Sequence, residues 1–273
     1  MSPRAAKRVD LWRERRRALK KAIAAFREGD PEGLHDVRVA LRRLIATASA
    51  AGRKKLSRRA RSLVRSLSER RQLEVDRQLL TRVRELGLLS PDVAAGLDAR
   101  WDRQLASGAR EAQKTASGRR MRRLVRRLAR RAGTGNAELA RRLVRKRQAM
   151  DRKVGRLPED GNNHELHRYR VAVKKARYVA EDLALLGMPG AAAAAERLKV
   201  AQEALGRWND VRMFRRRLRQ TRREAERRGA VTLASELDRL LAALDGTVEK
   251  TRGDAIEAAR ALGNIVPLRR RTA

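Results

Sequence analysis

Runs of Ala, Leu, Arg and Glu fill this chain, and only seven places break them. These residues are strong helix formers, and proline, which ends helices, occurs six times in 273 residues. Gly29-Asp30-Pro31-Glu32 reads as a helix stop followed by a start. Gly29 suits the position just past a helix, Asp30 an N-cap and Pro31 the first turn of the next helix. Residues 88–92 repeat that logic with Ser90 as the cap. Further breaks fall at residues 133–136, 157–163, 187–190 and 228–229, with a weaker one at 51–53. They delimit about eight helices, near residues 9–28, 31–50, 54–86, 91–132, 136–155, 163–186, 190–227 and 230–263. Short connections favour antiparallel neighbours, so the expected fold is all-α, two four-helix bundles.

The break at 133–136 lies close to the midpoint and prompts a search for an internal repeat. Residues 34–43 read LHDVRVALRR and residues 166–175 read LHRYRVAVKK. Leu, His, Arg, Val and Ala fall at the same offsets, and both segments end in two basic residues. Residues 67–72 line up more loosely with residues 205–210. The chain reads as a single domain over 1–273, built of two copies of a four-helix unit, about 9–132 and 136–263, related by a pseudo-two-fold axis.

On a helical wheel of about 100° per residue, Leu34, Val37, Leu41, Leu44 and Ala48 make one core seam. His35, Arg38 and Arg42 fall on the adjoining stripe. In the second copy Leu166, Tyr169, Val173, Ala176 and Ala180 form the seam, and His167, Arg170, Lys174 and Arg177 the stripe beside it. Members of a stripe sit about 5.4 Å apart, one helical turn, so each makes a ridge of donors. Arg offers a fork that fits phosphate oxygens and Lys a point charge. Two ridges brought together would line a basic cleft, which concentrates an anionic polymer and pushes each His pKa down while empty. Basic residues beside a core seam are ordinarily a solvated face with stems laid over apolar neighbours. Histidine tips the balance, because the chain has three and two of them occupy equivalent places in the repeat.

The charge as a whole points the same way. Sixty-nine Lys and Arg against 32 Asp and Glu give +37, which opposes compaction unless a partner neutralises it. Nucleic acid, an anionic membrane surface or another polymeric phosphate would serve. Absence of cysteine excludes disulfides and thiolate metal sites. His164 and His167 are spaced like a metal pair, but no third ligand has an evident place, so no metal site is expected. No nucleophile elbow, Walker loop or carboxylate cluster is present, which argues for a binding protein without cofactor rather than an enzyme. Trp12, Phe26, Tyr169 and Phe214 fall on core seams, while Trp101 and Trp208 stay open between core and surface. So few aromatics leave little for stacking single-stranded bases. Arginine runs at 119–131 and 215–217 read as solvated faces. The first residues lack the apolar core of a secretory signal, and the stretch 183–195 is too short and interrupted to span a bilayer, so a soluble, cytoplasmic protein is expected.

LHDVRVALRR and LHRYRVAVKKARY resemble the paired signatures of the CHAD family, the histidine-bearing α-helical domain, and LKVAQEALGRWNDVRMF at 198–214 resembles its second signature. The resemblance spans roughly residues 9–263. It implies two four-helix bundles about a pseudo-two-fold axis, a basic cavity between them, binding of inorganic polyphosphate and association with polyphosphate granules. The implied ligands are His35, Arg38, Arg42 and Arg43 in the first copy, and His167, Arg170, Lys174, Lys175 and Arg177 in the second. Arg71, Asn209, Asp210 and Arg212 stand as supporting residues, with Asp210 expected to orient nearby arginines. Three departures mark the first copy: Ile45 where the second has Arg177, Ser68 for the usual Gly, and Arg71-Gln72 for an Arg-Asp pair. A nonspecific nucleic-acid-binding or architectural protein is the alternative reading.

Overall fold

A computed structural model describes residues 9–130, 136–155 and 162–262. Ten α-helices follow one another among them: α1 (Leu11–Arg27), α2 (Gly33–Ala50), α3 (Lys54–Ser66), α4 (Ser68–Glu85), α5 (Pro91–Ser117), α6 (Arg119–Ala129), α7 (Asn136–Val154), α8 (Asn163–Leu185), α9 (Ala191–Arg227) and α10 (Val231–Arg260). The break at 133–136, apart from the start of α7 at Asn136, lies outside the described residues, as does most of the break at 157–163.

Local chemistry sets most boundaries. Asp10 caps α1, accepting from the backbone N–H of Trp12 at 3.0 Å and Arg13 at 3.1 Å. Ser90 caps α5 with Pro91 in the first turn, as expected, and Asn162 caps α8 by accepting from His164 and Glu165. Gly29 ends the first helical segment at φ 87°, a conformation that costs glycine little. The start of α2 differs from expectation. Asp30 accepts from the Glu32 N–H at 2.9 Å within a turn, and the helix begins only at Gly33. A Cβ on Gly33 would lie 2.5 Å from Phe26 Cα, so the glycine lets α2 start against the end of α1.

Two expected helices are each divided. The run 54–86 breaks at Leu67, a fully buried residue at φ −98° and ψ 0°. No proline or glycine marks the place; the side chain of Arg38 does, donating from Nη1 to the Leu67 carbonyl at 3.1 Å and the Ser68 carbonyl at 3.5 Å. The run 91–132 breaks at Gly118, whose extended backbone (ψ 167°) separates α5 from α6. Both breaks fall in the first copy; the matching stretches of the second are the unbroken α9 and α10.

The core has three parts. In the first, Leu34, Val37, Leu41 and Leu44 of α2 pack with α1, α3 and α6 and with Leu139 and Leu143 of α7 and Val179 and Leu183 of α8. The second lies between α8, the first half of α9 and the end of α10, around Trp208. In the third, the α4–α5 hairpin packs on the second half of α9 and the start of α10, with Trp101 edge-on to Phe214 at 6.0 Å. Trp101 and Trp208 are therefore core residues. The equivalent helices α2 and α8 pack on one another. There a buried network ties three helices: Thr47 donates to Asp182 at 2.7 Å, and Arg15 pairs with the same carboxylate. Among the described residues no helix is long and apolar enough to cross a membrane.

Candidate functional site

Where α2 and α8 meet, their basic ridges face each other. Lys174 of α8 is held down to about 7, first by burial and then by the charges of Arg42, Arg170 and Arg38. Arg38 is pushed down to about 10, first by burial and then by Arg42 and Arg71. Arg170 is lowered by burial and, among charges, is supported by Asp210 and opposed by Arg42 and Arg212. Cations from both copies thus share one half-buried space, and each weakens the protonated state of its neighbours. Such an arrangement is costly unless its charge is relieved, by loss of a proton or by an anion.

Two more helices close the space. From α4, Arg71 bears on His35, Arg38 and Asp210. From α9, Arg212 lies over the Trp208 ring at 5.0 Å, while Asn209 Oδ1 sits 3.3 Å from His167 Nδ1. That contact fixes the imidazole so that its other nitrogen points elsewhere. Both histidines are lowered, chiefly by burial; Arg71 adds to this at His35, and Arg170 and Arg212 at His167. Asp210 is raised chiefly by burial, and the charge acting most on it is that of Arg170. Arg170 Nε and Arg212 Nε are buried donors with no acceptor in the protein, as is Trp208 Nε1 within the core. Orphan donors at a concentration of positive charge suit a ligand made of acceptor oxygens.

Three residues expected as ligands stand differently. Arg43 Nε and Arg177 Nε grip the two oxygens of Glu181 at 2.7 and 2.8 Å, one from each copy. Their charge is already shared with a carboxylate. Lys175 is exposed, and its charge acts both on Lys174 and, together with Arg61 of α3, on Lys146 of α7. Arg38 has a double position, because the guanidinium that faces Lys174 also holds the Leu67 break.

Sequence reasoning missed Glu181, and also Glu74, which pairs with Arg70 at 3.0 Å and Arg71 at 3.3 Å. Glu74 supplies on α4 the carboxylate that Gln72 does not; Gln72 donates instead to Asp76 at 2.9 Å. The pairs of Glu74 with Arg70 and Arg71, and of Glu181 with Arg177, are three or four residues apart on one helix, so their spacing was a signal in the chain; the pair of Arg43 with Glu181 joins two helices, and no helical wheel could have found it. The run at 215–217 is not simply solvated, since Arg217 pairs with the fully buried Asp76 and Arg215 with Asp245. Among the described residues no group of three or more His, Cys, Asp or Glu is placed to hold a metal ion.

The chain matches the family profile described as the CHAD domain over residues 10–219. Among solved structures it is similar to the CHAD domain from the plant Ricinus communis, with 21% identity, 94% of this chain and 90% of that chain covered, and a TM-score of 0.70. It is also similar to PptA from Streptomyces chartreusis, with 20% identity, 92% and 97% covered, and a TM-score of 0.65. At such identities these likenesses bear on the fold. No curated protein matches.

Proposed function

We propose that this chain, which belongs to the CHAD domain family, is a binding module that holds inorganic polyphosphate in the cleft between α2 and α8. The observation that carries the reading is the convergence of Arg42, Arg170 and Lys174, from both copies of the repeat, in one half-buried space, with the Nε donors of Arg170 and Arg212 left without an acceptor. A linear chain of phosphates brings about one charge per unit and no bases, which is what such a space can use: acceptor oxygens for arginine forks and charge for the ammonium. Residues around the cleft supply charge and donors rather than a nucleophile, so binding without turnover is the reading, with polyphosphate granules in the cytoplasm as the place of action. The two copies would meet the polymer from either side in a pseudo-two-fold manner.

The test is a competition titration at about 150 mM salt. Polyphosphate should displace a labelled polyphosphate probe at least tenfold better than duplex DNA or single-stranded RNA matched for charge. Replacing Arg170 and Lys174 with Met should remove that preference. Equal competition by all three polyanions would sink the cleft assignment and favour a general nucleic-acid-binding protein.

A further inference from the structure

Charge is unevenly spread over the outside of the molecule. Every helix other than α3 and α6 carries at least one Asp or Glu, and several pair one with a cation outside the core, as Arg100 with Glu224 and Arg222 with Asp238. By contrast, α3 reads KKLSRRARSLVRS and α6 reads RRMRRLVRRLA, each with six Lys or Arg and no Asp or Glu. All of these cations are exposed, and none pairs with a carboxylate among the described residues.

Packing puts them on one face. Leu56, Ala60 and Leu63 of α3 and Met121, Leu124 and Leu128 of α6 enter the same core, and the two helices touch. Their charged sides therefore turn outward together. The charges that act most on the cleft groups come from α2, α4, α8 and α9, none from α6. The face is intrinsically unfavourable: like charges repel at i, i+4, and Arg119 and Arg120 sit in the first turn of α6, where the helix dipole disfavours cations.

Shape and chemistry narrow the ligand. Helices of 13 and 11 residues run about 20 and 16 Å, with axes about 8–10 Å apart, an open ridged surface and not a groove. Neither helix carries an aromatic residue, so nothing there stacks unpaired bases. Duplex nucleic acid carries about one phosphate charge per 1.7 Å of axis, so a 20 Å stretch offers about a dozen around its circumference, and the cations of the face exceed the phosphates turned toward it.

We propose that the α3–α6 face binds the phosphate backbone of duplex nucleic acid without reading sequence, leaving the cleft free for its own ligand. The proposal rests on these two helices alone and stands whether or not the cleft takes polyphosphate. The test uses a short labelled duplex, anisotropy across a salt series, and a variant carrying Arg119→Gln, Arg122→Gln, Arg123→Gln and Arg126→Gln. Glutamine keeps the helix propensity, the positions are exposed, and a thermal melt verifies the fold. Duplex affinity at about 150 mM salt should drop at least tenfold, and the log–log salt slope should shrink by about 3 to 4. A Lys174→Met variant should bind the duplex as the parent does, and saturating short polyphosphate should not release it beyond its ionic-strength effect. Unchanged duplex affinity and slope in the α6 variant would overturn the proposal. So would loss of long-polyphosphate binding in that variant with the duplex still held, since the face would then belong to the other polymer.

Discussion

When an anion enters the cleft, Lys174 should take up a proton. Burial and the charges of Arg42, Arg170 and Arg38 hold the free amine down to about 7. At pH 8 such a group is about nine-tenths neutral, and a phosphate oxygen docked against it would restore the ordinary ammonium, near 10.5. Binding at pH 8 should therefore draw about 0.9 proton from the buffer at this residue. The histidines, also lowered, would add to uptake at lower pH. Affinity should be greatest below pH 7 and fall by up to about tenfold per pH unit above it through this group. Isothermal titration in two buffers of different ionisation enthalpy measures the uptake directly. Lys174→Arg keeps the charge and should abolish most of the uptake at pH 8 while retaining binding. No uptake in the parent, or the same uptake in Lys174→Arg, would refute the reasoning. The stability counterpart has a definite sign. A lowered folded pKa means the folded protein binds fewer protons here than the unfolded chain between pH about 7 and 10.5. This penalty is fully present below pH 7 and relieved as pH rises through that window, at most about 5 kcal/mol. Lys174→Met should thus raise the melting temperature at pH 6 while weakening polyphosphate binding.

Other perturbations probe the frame and the site separately. Arg15→Met strands the fully buried Asp182 and should cost about 3–5 kcal/mol in urea unfolding; adding Asp182→Leu should recover much of it. Gly33→Ala brings a methyl to 2.5 Å from Phe26 Cα and should destabilise by about 1–3 kcal/mol by the same assay. Tyr169→Phe removes the hydroxyl that donates to the carbonyls of Val154 at 3.0 Å and Ala259 at 3.4 Å, a loss of about 1 kcal/mol. Replacing His35 and His167 together with Ala should weaken polyphosphate binding by about tenfold or more at pH 6.5, with less effect at pH 8, where neither ring carries charge in the free protein.

The two seams, the stripe beside each and their recurrence could be read from residues 34–43 and 166–175 because helical periodicity is local: the angle between residues three or four apart is set by the backbone alone. The caps at Ser90 and the turn at Gly29 were legible for the same reason. The division at Leu67 was not, since a side chain 29 residues earlier holds it.

Composition and periodicity were thus enough to determine an all-helical chain with a repeated basic ridge and a large excess of positive charge. Only the tertiary structure decided how those ridges are used. It turned Arg42, Arg170 and Lys174 toward one another, withdrew Arg43 and Arg177 into a shared pair with Glu181, and joined the acid-free α3 and α6 into a single outer face. The reason is physical. Which face a helix offers is written within a few residues, whereas which charges meet depends on the packing of helices far apart in the chain, and burial then sets how strongly each charge is felt.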